Sequence, residues 1–252
     1  MRICVPVPCF FPTIPFTEAI ERIAALGFDA AEIYGWADLS LDDARAACEH
    51  NGVELLSMCT TDFRLTDPLY RPVFLAGLDK SAKAAVRVGA GRLITQVGQD
   101  TGDSREAQHA SIIGGLMESI PILESTGVTL MIEPLNTYVD HKGYYLHLST
   151  EAFEIVRAVN HPLVKVVYDI YHQQIMEGNI IPNIINNLDC IAHLHSAGHP
   201  GRIELQKGEN DYHVIFKAVD DAGYRGACGL EYRPTMGPEE SLRELRKIYL
   251  GE

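Results

Sequence analysis

Apolar and polar residues recur along the chain in one repeating order: an amphipathic stretch, a glycine, then a short apolar run. Residues 16–26 (FTEAIERIAAL) carry apolar positions at helical spacing, Gly27 follows, and 28–33 (FDAAEI) reads as a strand. A helix at 41–50, stopped by Asn51-Gly52, leads to a strand at 53–58. The pattern returns in a helix at 76–88 with Gly89, Gly91 and a strand at 92–96, and in a helix at 105–126 with Gly127 and a strand at 128–133. A last helix, 214–222, runs through Gly223 into a strand at 226–231. Glycine just past a helix adopts the left-handed conformation that ends it, and short apolar runs suit strands buried on both faces. Runs at 3–7, 163–169 and 190–195 complete about eight strands. Strict alternation predicts a parallel sheet with right-handed crossovers, and eight units in 252 residues is the size of one (β/α)8 TIM barrel, read as a single domain over 1–252. A doubly wound open sheet would carry a glycine fingerprint after its first strand, where this chain has Pro8-Cys9-Phe10-Phe11-Pro12.

Composition narrows the function. With 46% hydrophobic and 22% charged residues the chain is a globular protein that needs no crosslinks to bury a core. Its 21 Lys+Arg against 34 Asp+Glu give a net charge of -13, a field that repels phosphate backbones and argues against nucleic-acid partners. No apolar run is long enough to span a bilayer, and the N-terminal run is broken by four prolines, so it lacks the core of a secretion signal. The six cysteines form no CxxC pair and no disulfide framework. Together these features predict a reduced, cytoplasmic, soluble protein.

In such barrels chemistry gathers at the C-terminal ends of the strands. The fifth strand ends at Glu133, the sixth at Asp169, the seventh at His195 and the eighth at Glu231. Any one of these could merely cap the following helix, but four consecutive strand ends carrying metal-ligand side chains predict a shared centre. Three carboxylates and an imidazole form a hard-to-borderline donor set suited to Mn²⁺, with Mg²⁺ or Co²⁺ as alternatives. Three carboxylates against one divalent ion leave about one net negative charge, which suits a neutral polyol and opposes a phosphate ester. A metal gripping a carbonyl and its neighbouring hydroxyl acidifies the C–H between them. Glu133 and Glu231, flanking the arc, are the expected acid/base pair for isomerisation or epimerisation through a cis-enediolate.

The residues from Glu133 onward resemble the xylose isomerase-like barrel family, and within it the hydroxypyruvate isomerases and the ketose 3-epimerases. Tyr168-Asp169-Ile170-Tyr171-His172-Gln173-Gln174, Pro200-Gly201-Arg202, Gly208-Glu209-Asn210-Asp211-Tyr212 and Leu230-Glu231-Tyr232-Arg233-Pro234 are similar to stretches of the isomerases. The resemblance implies metal ligation by Glu133, Asp169, His195 and Glu231, substrate contacts from His172 and Arg202, and dimers or tetramers. It implies turnover of hydroxypyruvate to tartronate semialdehyde, or alternatively 3-epimerisation of free ketoses such as allulose, tagatose or ribulose. Two positions depart from it. The isomerases tend to carry glutamine where this chain has His195, and the epimerases carry a glutamate where it has Val139.

Arg202 also reads, from its residue type alone, either as a clamp for a carboxylate or as a solvated loop residue. His193 is read as alternating with His195 and facing the other side of the strand. Cys9-Phe10-Phe11 and Trp36, after the first two strands, either wall the pocket or pack against neighbouring helices. The related barrel endonucleases of abasic DNA are a rival of another class, disfavoured by the charge, and a non-catalytic sugar-binding barrel is a third.

Overall fold

A computed structural model describes residues 1–250 and closes eight parallel strands into a barrel in chain order. The strands are β1 (Arg2–Pro6), β2 (Ala30–Glu32), β3 (Glu54–Cys59), β4 (Arg92–Thr95), β5 (Thr129–Ile132), β6 (Val164–Asp169), β7 (Ile191–Ser196) and β8 (Ala227–Leu230). The expected (β/α)8 architecture is therefore present; the last two residues of the expected 1–252 domain lie outside those described. Among the described residues no helix is long and apolar enough to cross a membrane.

Local signals placed most boundaries. Helix Arg105–Thr126 spans the predicted residues, opened by Ser104, whose hydroxyl accepts from the Ala107 amide, and closed by Gly127 at φ 70°. The helix expected at 76–88 instead begins at Arg71, with a proline in its first turn where the missing N–H costs nothing. Strands β2 and β5 are shorter than their apolar runs, at three and four residues, because Phe28 and Val128 lead into the sheet without pairing in it.

The strands alternate between two apolar layers. Ile3 and Val5 point outward into the large cluster shared with the helices, whereas Cys4 packs with Ala30, Leu56 and Ala227 in the interior. Across the barrel Ile94, Met131 and Val167 form a second interior cluster. Side chains two residues further along a strand lie on the same face one layer higher. Above Met131, Val167 and Gly229 that layer holds Glu133, Asp169 and Glu231.

Candidate active site

Strand register brings the four predicted residues together. Asp169 pairs laterally with His195 and His195 with Gly229, two residues before Glu231, while Glu133 directly follows β5. One donor atom from each of Glu133, Asp169, His195 and Glu231 lies within 4.8 Å of all the others. His195 Nδ1 stands 2.9 Å from Glu231 Oε2 and 3.4 Å from Glu133 Oε1. All three of these atoms are buried and make no hydrogen bond of good geometry among the described residues, although Glu231 Oε2 is ion-paired with Arg202 Nη2. Buried polar atoms normally find partners, so three of them converging on one point fit a bound cation. His195 is the penultimate residue of its strand rather than the last; Ser196 continues β7 and donates to Gly229 O.

Arg202 belongs to this cluster and is no solvated loop residue. A tight turn, with Gly198 and Ile203 exchanging backbone hydrogen bonds, holds Arg202 at φ 54° and folds its side chain back over the mouth. Its Nη2 lies 2.8 Å from Glu231 Oε2 and 3.4 Å from Asp169 Oδ2, and its Nε donates to Glu231 O at 3.1 Å. The guanidinium also covers the Tyr171 ring at 5.0 Å. Burial, the largest influence on Asp169, pushes its carboxyl up to about 7 against the pull of Arg202. Burial would also raise Glu231, but Arg202 and His195 outweigh it and hold that carboxyl well below its usual range.

His172 is buried beside them. Its Nδ1 accepts from the Asn136 amide nitrogen at 3.2 Å and from the Asn136 side chain at 2.7 Å. Two donors at Nδ1 require the ring proton on Nε2, which faces Asp169 Oδ2 at 3.4 Å. Asn136 itself is oriented by accepting from the Val139 and Asp140 amides. Burial drives the His172 pKa well below its ordinary value, so the ring is neutral.

A cavity of about 350 Å³ opens beside the cluster, lined by Cys9, Tyr34, Arg202, Glu231 and Arg233 among others. A second, of about 430 Å³, shares Tyr34 and reaches Trp36 and Cys59. Cys9 and Trp36 thus wall the pocket as one of the two readings had it, while Phe10 and Phe11 belong to the outer core.

His193 departs from its predicted direction. Positions two apart on a strand share a face, so His193 and His195 both point inward. Their Nε2 atoms lie 3.1 and 3.2 Å from the carboxylate of Glu32, at the end of β2. Glu32 is a site residue that the sequence reading missed. Its signal is an acid inside an apolar run, Ala30-Ala31-Glu32-Ile33, where a strand facing a dry core would carry none.

A family model described as xylose isomerase-like TIM barrel matches residues 20–248. The 2-oxo-tetronate isomerase of Cupriavidus necator is 30% identical over 245 residues, covering 94% of this chain and 94% of its own length. The hydroxypyruvate isomerase of Escherichia coli is 27% identical over 252 residues, covering 96% and 97%. A crystal structure from Brucella melitensis, described as an AP endonuclease of family 2, superposes with a TM-score of 0.92 at 25% identity, covering 98% of this chain and 99% of that one.

Proposed function

The chain belongs to the xylose isomerase-like TIM barrel family, and from that premise we propose that it is a divalent-metal-dependent isomerase of short hydroxycarbonyl acids, hydroxypyruvate to tartronate semialdehyde being the reaction. The observation that carries this reading is the convergence of Glu133, Asp169, His195 and Glu231 with Arg202 held against two of them. The donor set of three carboxylate oxygens and one imidazole nitrogen fits Mn²⁺, with Mg²⁺ or Co²⁺ as substitutes. Two relatives named as isomerases of such acids, aligned over nearly the whole chain, support the substrate class.

Arg202 revises the charge balance inferred from the four ligands alone. Three ligand carboxylates are offset by a divalent ion and one guanidinium, so the ligand shell is neutral, and the charge of Glu32 beneath it is matched by Arg233 at the cavity, so a monoanion meets no net repulsion. Arg202 lines the 350 Å³ cavity, and its Nη1, which has no hydrogen-bond partner among the described residues, is the atom left to take the substrate carboxylate. Arg233 lines the same cavity and adds a second positive charge at its mouth.

A divalent ion bound by the four residues would polarise the substrate carbonyl and acidify the adjacent C–H. Glu133 and Glu231 then serve as the proton-transfer pair. One carboxylate takes the proton from C3 of hydroxypyruvate, giving a cis-enediolate. Return of a proton to C2, with the O3 hydrogen passing to O2, yields tartronate semialdehyde. His172, its ring proton fixed on Nε2, points that proton toward Asp169 Oδ2 and helps hold the carboxylate in place. Tyr34 lines both cavities and Trp36 the second.

Metal-reconstituted protein in D₂O, followed by NMR, tests the reading. Deuterium should enter C3 of hydroxypyruvate above a metal-only blank, with the aldehyde appearing, and Glu231→Gln should fall to that blank. Exchange confined to C3 of free ketoses would make the chain a 3-epimerase instead. Strand scission at abasic sites in DNA, with no exchange in either substrate, would replace both readings by a nuclease.

A further inference from the structure

Beneath the four ligands lies a second polar layer that the proposed reaction does not use. Glu32 is fully buried in the barrel interior, and among the described residues no lysine or arginine is bonded to it. Its Oε2 takes three hydrogen bonds, from Ser57 Oγ at 2.7 Å and from the Nε2 atoms of His193 and His195 at 3.1 and 3.4 Å, while Oε1 lies 3.2 Å from His195 Nε2 without a hydrogen-bond partner among the described residues. The space for this contact comes from Gly229. A Cβ there would overlap the Glu32 carboxylate and lie 2.8 Å from His195 Cδ2.

The arrangement dictates where the His195 proton sits. A buried carboxylate has only acceptor oxygens, so each imidazole nitrogen facing it must carry hydrogen. In the metal-free site the same rule puts hydrogen on Nδ1 as well, since Nδ1 faces Glu133 Oε1 and Glu231 Oε2; with a cation held by those carboxylates Nδ1 would be bare, and the one remaining ring proton would stay on Nε2 against Glu32. The opposite tautomer would turn an N–H toward a cation and leave Glu32 facing a lone pair. His193 and Ser57 keep the carboxylate from rotating away, and His193 meets His195 edge to face with ring centres 5.0 Å apart.

We propose that Glu32 is a positioning residue that, by accepting the Nε2–H of His195, selects the tautomer and ring orientation that present Nδ1 to the metal. This rests on the metal reading of the four-residue cluster. Orienting partners of this kind are worth about 10- to 100-fold in metal affinity.

The test is a double-mutant cycle read by Mn²⁺ calorimetry on chelator-stripped protein: unaltered chain, Glu32→Gln, His195→Gln and the pair. Glu32→Gln is expected to weaken Mn²⁺ binding about 10- to 100-fold in the unaltered chain and less than about threefold when His195→Gln is already present. Equal losses in both backgrounds would mean that Glu32 acts as a plain negative charge or a structural support, and the proposal fails while the metal reading stands. No Mn²⁺ binding by the unaltered chain would overturn the metal reading and the proposal with it. Should Glu32→Gln not fold, the histidine ring ¹⁵N spectrum of the unaltered, Mg²⁺-loaded protein decides. A His195 proton retained on Nε2 supports the proposal, and one found on Nδ1 refutes it.

Discussion

Replacing Arg202 separates a carboxylate substrate from a neutral one. In Arg202→Ala the substrate loses a hydrogen bond from Nη1, the one guanidinium nitrogen the protein leaves unpaired among its described residues. Hydrogen bonds between charged groups contribute about 1.5–3 kcal/mol, and each 1.4 kcal/mol is tenfold, so KM for hydroxypyruvate should rise about 10- to 150-fold. Dihydroxyacetone keeps the hydroxycarbonyl and lacks the carboxylate, so its exchange KM should move less than about threefold. A second effect accompanies the first. Asp169 and Glu231 lose their nearest cation, and leaving buried charges uncompensated costs about 3–5 kcal/mol in the metal-free protein. Bound Mn²⁺ should restore much of that loss, so urea unfolding with and without Mn²⁺ should differ more in the variant than in the unaltered chain. Arg202→Lys should recover the stability better than the KM, because an ammonium supplies the charge without the planar fork. Equal KM increases for hydroxypyruvate and dihydroxyacetone would refute the argument, for Arg202 would then serve the site's architecture and not the substrate's charge.

Three further outcomes follow from the same geometry. Mn²⁺ at about 100 times its Kd should stabilise the fold by about 2.7 kcal/mol and raise Tm by about 5–10 °C, reversed by chelation; an unmoved Tm on scanning calorimetry would count against a metal site. Gly229→Ala should destabilise the protein by about 1–3 kcal/mol in urea titration, since the added methyl meets the Glu32 carboxylate and the His195 ring; unchanged stability would mean that β8 can shift outward. Burial pushes the Cys9 thiol up to about 12, leaving about one thiolate in 10⁴ at pH 8, so a disulfide reagent should label it about three orders of magnitude more slowly than the unfolded chain; a fast native phase abolished by Cys9→Ser would contradict this.

The two residues furthest from sequence reasoning are also those most dependent on closure of the barrel. Glu32 and His193 are 161 positions apart, and they touch only because β2 and β7 face each other across a closed interior. Arg202 lies 33 positions from Asp169 and reaches it through a turn whose left-handed residue is Arg202 itself, a conformation that no glycine or asparagine announces in advance.

By itself the amino-acid order determined what local physics can determine. The 3.6 and 2 periodicities placed helices and strands, glycines marked the helix ends, and eight units of that length implied the barrel. Because strand ends share one rim in such a barrel, Glu133, Asp169, His195 and Glu231 were legible as a group before any coordinate was known. Tertiary structure decided the rest: which way Arg202 turns, that His193 lies inward, that Glu32 waits beneath His195, and that Gly229 leaves room for both. Those facts depend on contacts between distant segments, and the free energy of such contacts exists only once the chain has closed around them.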